Sequence, residues 1–293
     1  MKKVLLGTTA LVMTAGVAAA EVSLSGYAEM GIRDDGVNDV QFHHDIDVKF
    51  SLSGETDSGL SFGATIDLDE VSNGISNNAN PSSVWISGSF GTLTMGDTDG
   101  ALDWAMTEVG ALTSIADDHT THIGYSGNST LDGSDDGQIL RYDNSFGDIS
   151  FAVSLEQDDD SSGEGDTFAI GAKGTFGDFG WGIGHQSNDN TDAMGISLSA
   201  GFGDVNAVLN YTDWDIGGVD ASHTGLGVTY TSGALSLHAN YGEFDVGGLT
   251  ADGFGIAANY DLGGGAVAMF GYGDSSVGGV SLDTWSAGLG LSF

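Results

Sequence analysis

From Leu60 to Asp69 the chain alternates without a break: Leu60, Phe62, Ala64, Ile66 and Leu68 take one side, and Ser61, Gly63, Thr65, Asp67 and Asp69 the other. Ile149, Phe151, Val153 and Leu155 alternate in the same way with Ser150, Ala152, Ser154 and Glu156. The same period of two fits 46–52, 168–176, 194–202, 205–211 and 235–241, and the closing WSAGLGLSF, where Trp285, Ala287, Leu289, Leu291 and Phe293 share a face. Successive side chains of an extended chain point to opposite faces, so this pattern predicts strands with one apolar and one polar face. After residue 20 no run is apolar enough to form a membrane-spanning helix.

Turn signals divide these strands. FGT at 90, FGD at 146, 176 and 202, TSG at 231 and DLGGG at 261 supply glycine where a tight turn needs a positive φ, often just after an aromatic. At the opposite ends lie polar stretches, QDDDSSGEGD, QSNDNTDA, TDWDIGGVDASH and GDSSVGGVSLD, which read as longer acidic loops. Sixteen strands are expected, starting near Val22, Phe42, Ser58, Ser82, Thr92, Gln138, Asp148, Thr167, Asp178, Ala193, Asp204, Ser222, Gly233, Ala251, Gly265 and Leu282. An even number of antiparallel strands, with short turns at one end and longer loops at the other, predicts an all-β transmembrane barrel wide enough for an aqueous lumen. Lipid then covers the apolar face, and closure of the sheet satisfies the backbone. A soluble β-sandwich shows the same alternation. Its outward positions carry Lys, Arg, Glu and Thr, however, whereas the polar face here is rich in Gly, Ser, Ala and Asn. The aromatics also gather near strand ends (Phe90, Tyr142, Phe146, Phe176, Phe202, Tyr211, Tyr230, Tyr241, Tyr260, Tyr272), like interfacial girdles.

The segment MKKVLLGTTALVMTAGVAAA has the basic start, apolar centre and A-x-A ending of a secretory signal, which places the cleavage before Glu21 and the barrel over 21–293. Two of the six basic residues lie in that leader, leaving four against 42 acidic ones, a net charge of −38. Such a surface excludes nucleic acid as a partner. Cysteine is absent, so no disulfide holds the fold. A hydrophobic content of 40%, strictly patterned, excludes disorder, and the glycine pairs form no tandem calcium-binding repeat.

One interval is nearly twice the others. Between the turns at Gly91 and Gly147, residues 98–137 form a connection far beyond an ordinary hairpin loop, with apolar residues of its own at Leu102, Trp104, Met106, Val109, Leu112 and Ile115. A loop of that composition is expected to fold inward and narrow the pore. Here the sequence resembles a known family. EVSLSGYAEMGI after the leader, SGETDSGLSFGA after the second strand, LTMGDTDGA at the loop entry, YDLGGG and the terminal Phe293 are similar to the general diffusion porins of Gram-negative bacteria, nearest the alphaproteobacterial type. The resemblance implies a trimeric 16-stranded barrel in the outer membrane, with passive diffusion of small hydrophilic solutes and ions past the third external loop. It also implies acidic loop residues facing basic wall residues at a constriction. By position the acidic side is Asp97, Asp99, Asp103, Glu108, Asp117 and Asp118.

Strand parity points Arg33, Lys49, Arg141 and Lys173 to the lumen. This also avoids the roughly 2–4 kcal/mol that a basic group costs at the lipid midplane. The chain departs from the family where its second strand, HHDIDVKF, offers Asp45 and Asp47 to the lumen in place of arginines. Few bases among many acids predict cation preference. A structural or adhesive barrel without conductance is the alternative.

Other motifs carry less. His119-Thr-Thr-His122 reads as solvated loop histidines rather than a zinc site. DGSDDG at 132 and DDDSSGEGD at 158 lack the ligand spacing of an EF-hand and suit only weak divalent cation binding, bridging neighbouring lipopolysaccharide. No cofactor motif is present. His238, between Ser236 and Asn240 on one strand face, is ordinary barrel interior, and no arrangement for catalysis accompanies it.

Overall fold

The computed structural model describes residues 20–69, 82–116, 122–134, 137–158 and 163–293. The leader expected at 1–20 lies outside these residues, apart from Ala20. Among these described residues, sixteen strands and one short helix follow in chain order. The first five strands are β1 (Glu21–Asp34), β2 (Gln41–Glu55), β3 (Ser61–Asp69), β4 (Ser82–Gly88) and β5 (Gly91–Gly96), and the helical turn α1 (Ala101–Ala105) comes next. Then come β6 (Ile139–Phe146), β7 (Ile149–Glu156), β8 (Thr167–Phe176), β9 (Phe179–Ser187), β10 (Thr191–Phe202) and β11 (Val205–Ile216). The last five are β12 (Val219–Ser232), β13 (Leu235–Val246), β14 (Leu249–Gly263), β15 (Ala266–Val277) and β16 (Val280–Ser292).

Each strand pairs antiparallel with its neighbours in sequence, and β1 pairs with β16, so the sheet is a closed barrel. The closing register runs from Tyr27 opposite Ser292 to Asp34 opposite Trp285, and the Phe293 amide extends it by donating to the Gly26 carbonyl at 2.8 Å. A closed sheet has no free edge, which is the condition for a β structure in hydrocarbon.

The faces are inverted relative to a soluble protein. Large apolar side chains at alternating positions, such as Leu24, Met30, Ile170, Met194, Leu209, Leu226 and Ile256, are exposed on the outside. Aromatic side chains form two outer rings. Phe146, Phe176, Phe202, Tyr230 and Tyr260 lie at the short-turn end, and Tyr211, Tyr241 and Phe254 towards the other. The opposite face carries Glu29, Glu156, Gln186, Asn210, Thr212, His223 and His238, all buried.

Three of the expected long loops are instead continuations of strands. TDWDIGGVDASH spans the end of β11 and the start of β12, with only Gly217 (φ 60) and Gly218 (φ 86) between Ile216 and Val219. Positive φ at both central residues gives the two-residue turn whose twist matches an antiparallel pair, and the Asp215 carboxylate accepts the Gly218 amide at 2.7 Å. GDSSVGGVSLD crosses from β15 to β16 through Gly278 and Gly279 in the same way, and QSNDNTDA turns between Ser187 and Thr191. Their polarity was the misleading sign. Asp213, Asp215 and Asp220 occupy the outward face of strands that rise past the aromatic ring, where water or headgroups replace lipid.

Candidate functional site

The segment after β5 lies against the inner face of the barrel along most of its circumference. α1 packs on β7, β8 and β9, and its first amide, Ala101, donates to Ser154 Oγ at 2.9 Å. The path is then carried by wall side chains in sequence around the barrel. The Thr107 amide donates to Ser197 Oγ on β10 at 2.9 Å, and the Ala111 amide reaches His238 Nε2 on β13 at 3.4 Å. Asn259 on β14 donates to the Thr113 carbonyl at 3.0 Å, Ser114 and Ser286 on β16 share a hydrogen bond, and the Ala116 amide meets Glu29 on β1 at 2.6 Å.

The return limb retraces this route. Ile123 donates to Ser275 Oγ on β15 at 3.0 Å, and His122 bonds Asn240 on β13. His223 Nε2 donates to the Gly124 carbonyl at 2.8 Å, Asn210 donates to Asn128, and Gln186 accepts from Thr130 and the Leu131 amide. Glu156 accepts the Gly133 and Gly137 amides, each at 3.0 Å. Irregular backbone away from bulk water needs such partners, and the polar inner face supplies them.

Glycine makes room for this contact. A Cβ on Gly171, Gly182, Gly227 or Gly242 would overlap the carbonyl oxygen of Ala101, Ala105, Val109 or Gly124 respectively. Gly31 and Gly288 leave space for Ile115, which is fully buried. The anchoring side chains sit beside these gaps on the same face, two residues away: Glu29 and Gly31, Gln186 and Gly184, Ser197 and Gly195, His223 and Gly225, Asn240 and Gly242, Ser286 and Gly288. None of these anchors was singled out from the sequence as holding the loop. The repeated pairing of a hydrogen-bonding residue with a same-face glycine was the signal that marks them.

The sequence-derived residues fall as follows. Asp97 continues the ladder beyond β5, its amide donating to the Ser82 carbonyl at 2.9 Å, with its side chain exposed. Asp99 is exposed, and its carbonyl accepts Arg141 Nη1 at 2.6 Å. Asp103 lies in the first turn of α1. Glu108 accepts Ser126 Oγ at 3.4 Å, joining the outward and return limbs. Asp117, Asp118 and His119 lie outside the described residues.

On the wall, Asp45 stands opposite the buried Glu29 and Asp47 opposite Tyr27. Lys49 Nζ is 3.3 Å from Asp67, and Arg141 Nε is 3.5 Å from Asp143. Arg33 lines a small cavity with Asp34, Asp35, Ser114 and Trp285. Lys173 reaches the loop as well, its Nζ donating to the Trp104 carbonyl at 2.5 Å.

The loop carboxyls are perturbed. Burial, reinforced by Asp99, Asp132 and Glu108, raises the Asp103 carboxyl to about 7. Burial likewise raises Asp132 to about 6, against the lowering effect of hydrogen bonds from Gly100 and Gln186. Burial holds His122 below its ordinary value and so in the neutral form near neutral pH.

The closed sheet, apolar exterior and wall-bound inner loop define a transmembrane β-barrel. A model of the Gram-negative porin family matches residues 7–279. The chain belongs to that family, which places it in the bacterial outer membrane. A curated porin from Rhodobacter capsulatus is 37% identical over 139 residues, 46% of this chain and 44% of that protein, so the match spans less than half of the relative's length. A porin structure refined at 1.8 Å superposes with a TM-score of 0.78 at 27% identity, over 93% of this chain and 100% of that one. A variant of the Rh. blastica porin superposes with a TM-score of 0.68 at 19% identity, again over 93% and 100%, and shares the fold.

Proposed function

We propose that the protein is a general diffusion porin, a water-filled channel through which small hydrophilic solutes and ions pass passively, with preference for cations. The observation that carries this reading is the loop path. A segment held by inward side chains from β7 round to β1 narrows a polar lumen. Cation preference is supported by the company of the bases: Lys49 stands beside Asp67 and Arg141 beside Asp143, while Glu29, Asp45 and Asp47 face inward. In this reading residues 1–20 are the export signal, the barrel assembles as a homotrimer, and Asp97, Asp99, Asp103, Glu108, Asp117 and Asp118 contribute the acidic side of the constriction. Weak divalent cation binding that bridges neighbouring lipopolysaccharide belongs in this reading to the acidic stretches at 132 and 158, of which 135–136 and 159–162 lie outside the described residues. Reversal potentials in a salt gradient test the selectivity. A potential of the sign set by cation flux is expected, and the opposite sign contradicts the reading.

The raised loop carboxyls add a pH dependence. Asp103 and Asp132 ionise within the range about 6 to 7, so the lumen gains negative charge between pH 5 and 8 and the cation-to-anion permeability ratio increases. Their folded-state values lie above the unfolded ones, so the stabilisation they give is full below about pH 4 and is lost as pH rises through 6 to 7. The double variant Asp103→Asn, Asp132→Asn is expected to flatten the selectivity profile over that range. A profile as steep as that of the unaltered channel contradicts the assignment.

A further inference from the structure

We propose that Trp104 is a specificity-determining residue of this channel: its indole ring holds Lys173 and Arg141, and its carbonyl holds Lys173, against the loop, so that these two bases do not present themselves to permeating anions. The proposal rests on the cation-conducting reading above and deepens it.

Both bases project from the wall towards α1. Lys173 Nζ lies 3.9 Å from the centroid of the Trp104 ring while donating to the Trp104 carbonyl at 2.5 Å. Arg141 Cζ lies 5.8 Å from the same ring, and Nη1 donates to the Asp99 carbonyl at 2.6 Å. These contacts suit their chemistry. The last carbonyls of a helical turn have no partner within the helix and take a cationic donor readily. An indole face is the aromatic surface that attracts a cation most strongly.

The ring is held in place by what lies under the helix. Trp104 packs against the buried cluster of Ala101, Leu102, Met106, Ala152 and Ala169, and the carbonyls of Ala101 and Ala105 sit where Gly171 and Gly182 leave no side chain. Trp104 therefore stays beside the two bases.

Exposure separates these bases from a third. The Arg141 side chain is 12% exposed, whereas Lys49, which has no aromatic cover among the described residues, is 50% exposed. A permeating anion gains most from a basic group that it can touch. Around Arg141 and Lys173 the ring face and two carbonyl oxygens occupy that position, while the Asp99 side chain is exposed. The arrangement differs from bases and acids facing each other across water, because here the bases are bound to the loop that carries the acids.

Beyond the leader, Lys49 and Lys173 are the only lysines, which gives a test with an internal reference. Refolded channels carrying Trp104→Leu, which keeps apolar bulk without a π face, or Trp104→Phe, which keeps a smaller one, are treated with a membrane-impermeant amine-acylating reagent and analysed by mass spectrometry. Trp104→Leu is expected to raise the Lys173-to-Lys49 labelling ratio by about fivefold, the factor matching a cation–π contact of ordinary strength. It is also expected to lower the cation-to-anion permeability ratio by roughly twofold, with Trp104→Phe between it and the unaltered protein in both. If Trp104 only packed the loop, Trp104→Leu would alter the size of the conductance and leave both ratios in place, which overturns the proposal. Anion selectivity in the unaltered channel overturns the cation reading itself, so the two failures are distinguishable.

Discussion

Replacing residues 101–134 with a short glycine–serine linker is expected to raise single-channel conductance by at least about twofold without loss of the barrel. In a soluble protein, removing a segment that contains Leu102, Val109 and Ile115, all almost completely buried, would destroy a core. Here the strands close on one another through β1 and β16 without help from the loop. The side chains that the loop leaves behind, among them Gln186, Asn210, His223 and Glu156, are polar and would face a water-filled lumen. Water replaces their lost partners, so the deletion leaves no buried group unsatisfied. Unchanged conductance in correctly assembled barrels would show that the segment does not limit the path.

A second large effect is expected from the glycine track. Valine at Gly227 or Gly242 places a side chain where the Val109 or Gly124 carbonyl now lies, and pushes the loop towards the barrel axis. Conductance should then fall, to on the order of half. Gly201 is the control. It faces inward on β10 with open space around its missing side chain, so Gly201→Val should conduct like the unaltered protein. Equal effects at all three positions would mean that bulk in the lumen, rather than displacement of the loop, sets the conductance.

The sheet was legible because lipid enforces strict alternation. Every strand starts within three residues of its expected position, from Glu21 to Val280, and the count of 16 holds. Legibility failed where lipid no longer acts. Above the outer aromatic ring the outward face turns acidic, and TDWDIGGVDASH reads as loop although its Gly217–Gly218 turn joins two unbroken strands.

The inner loop was legible as a surplus of length with apolar residues of its own, but its route was not. That route depends on long-range pairing, such as Glu29 with Ala116 and His223 with Gly124, which no local pattern specifies. Parity placed Arg33, Lys49, Arg141 and Lys173 on the inner face, but it contains nothing about Trp104, which meets two of them only once the loop is laid down.

The claim on which all of this depends is that lipid surrounds the chain and water fills it. The most direct measurement is single-channel recording of the refolded protein in planar bilayers. Discrete, ohmic conductance steps that grow with salt concentration are the predicted result. Barrels that insert and show heat-modifiable gel mobility, yet give no steps, would contradict it and leave a structural or adhesive barrel in place of a channel.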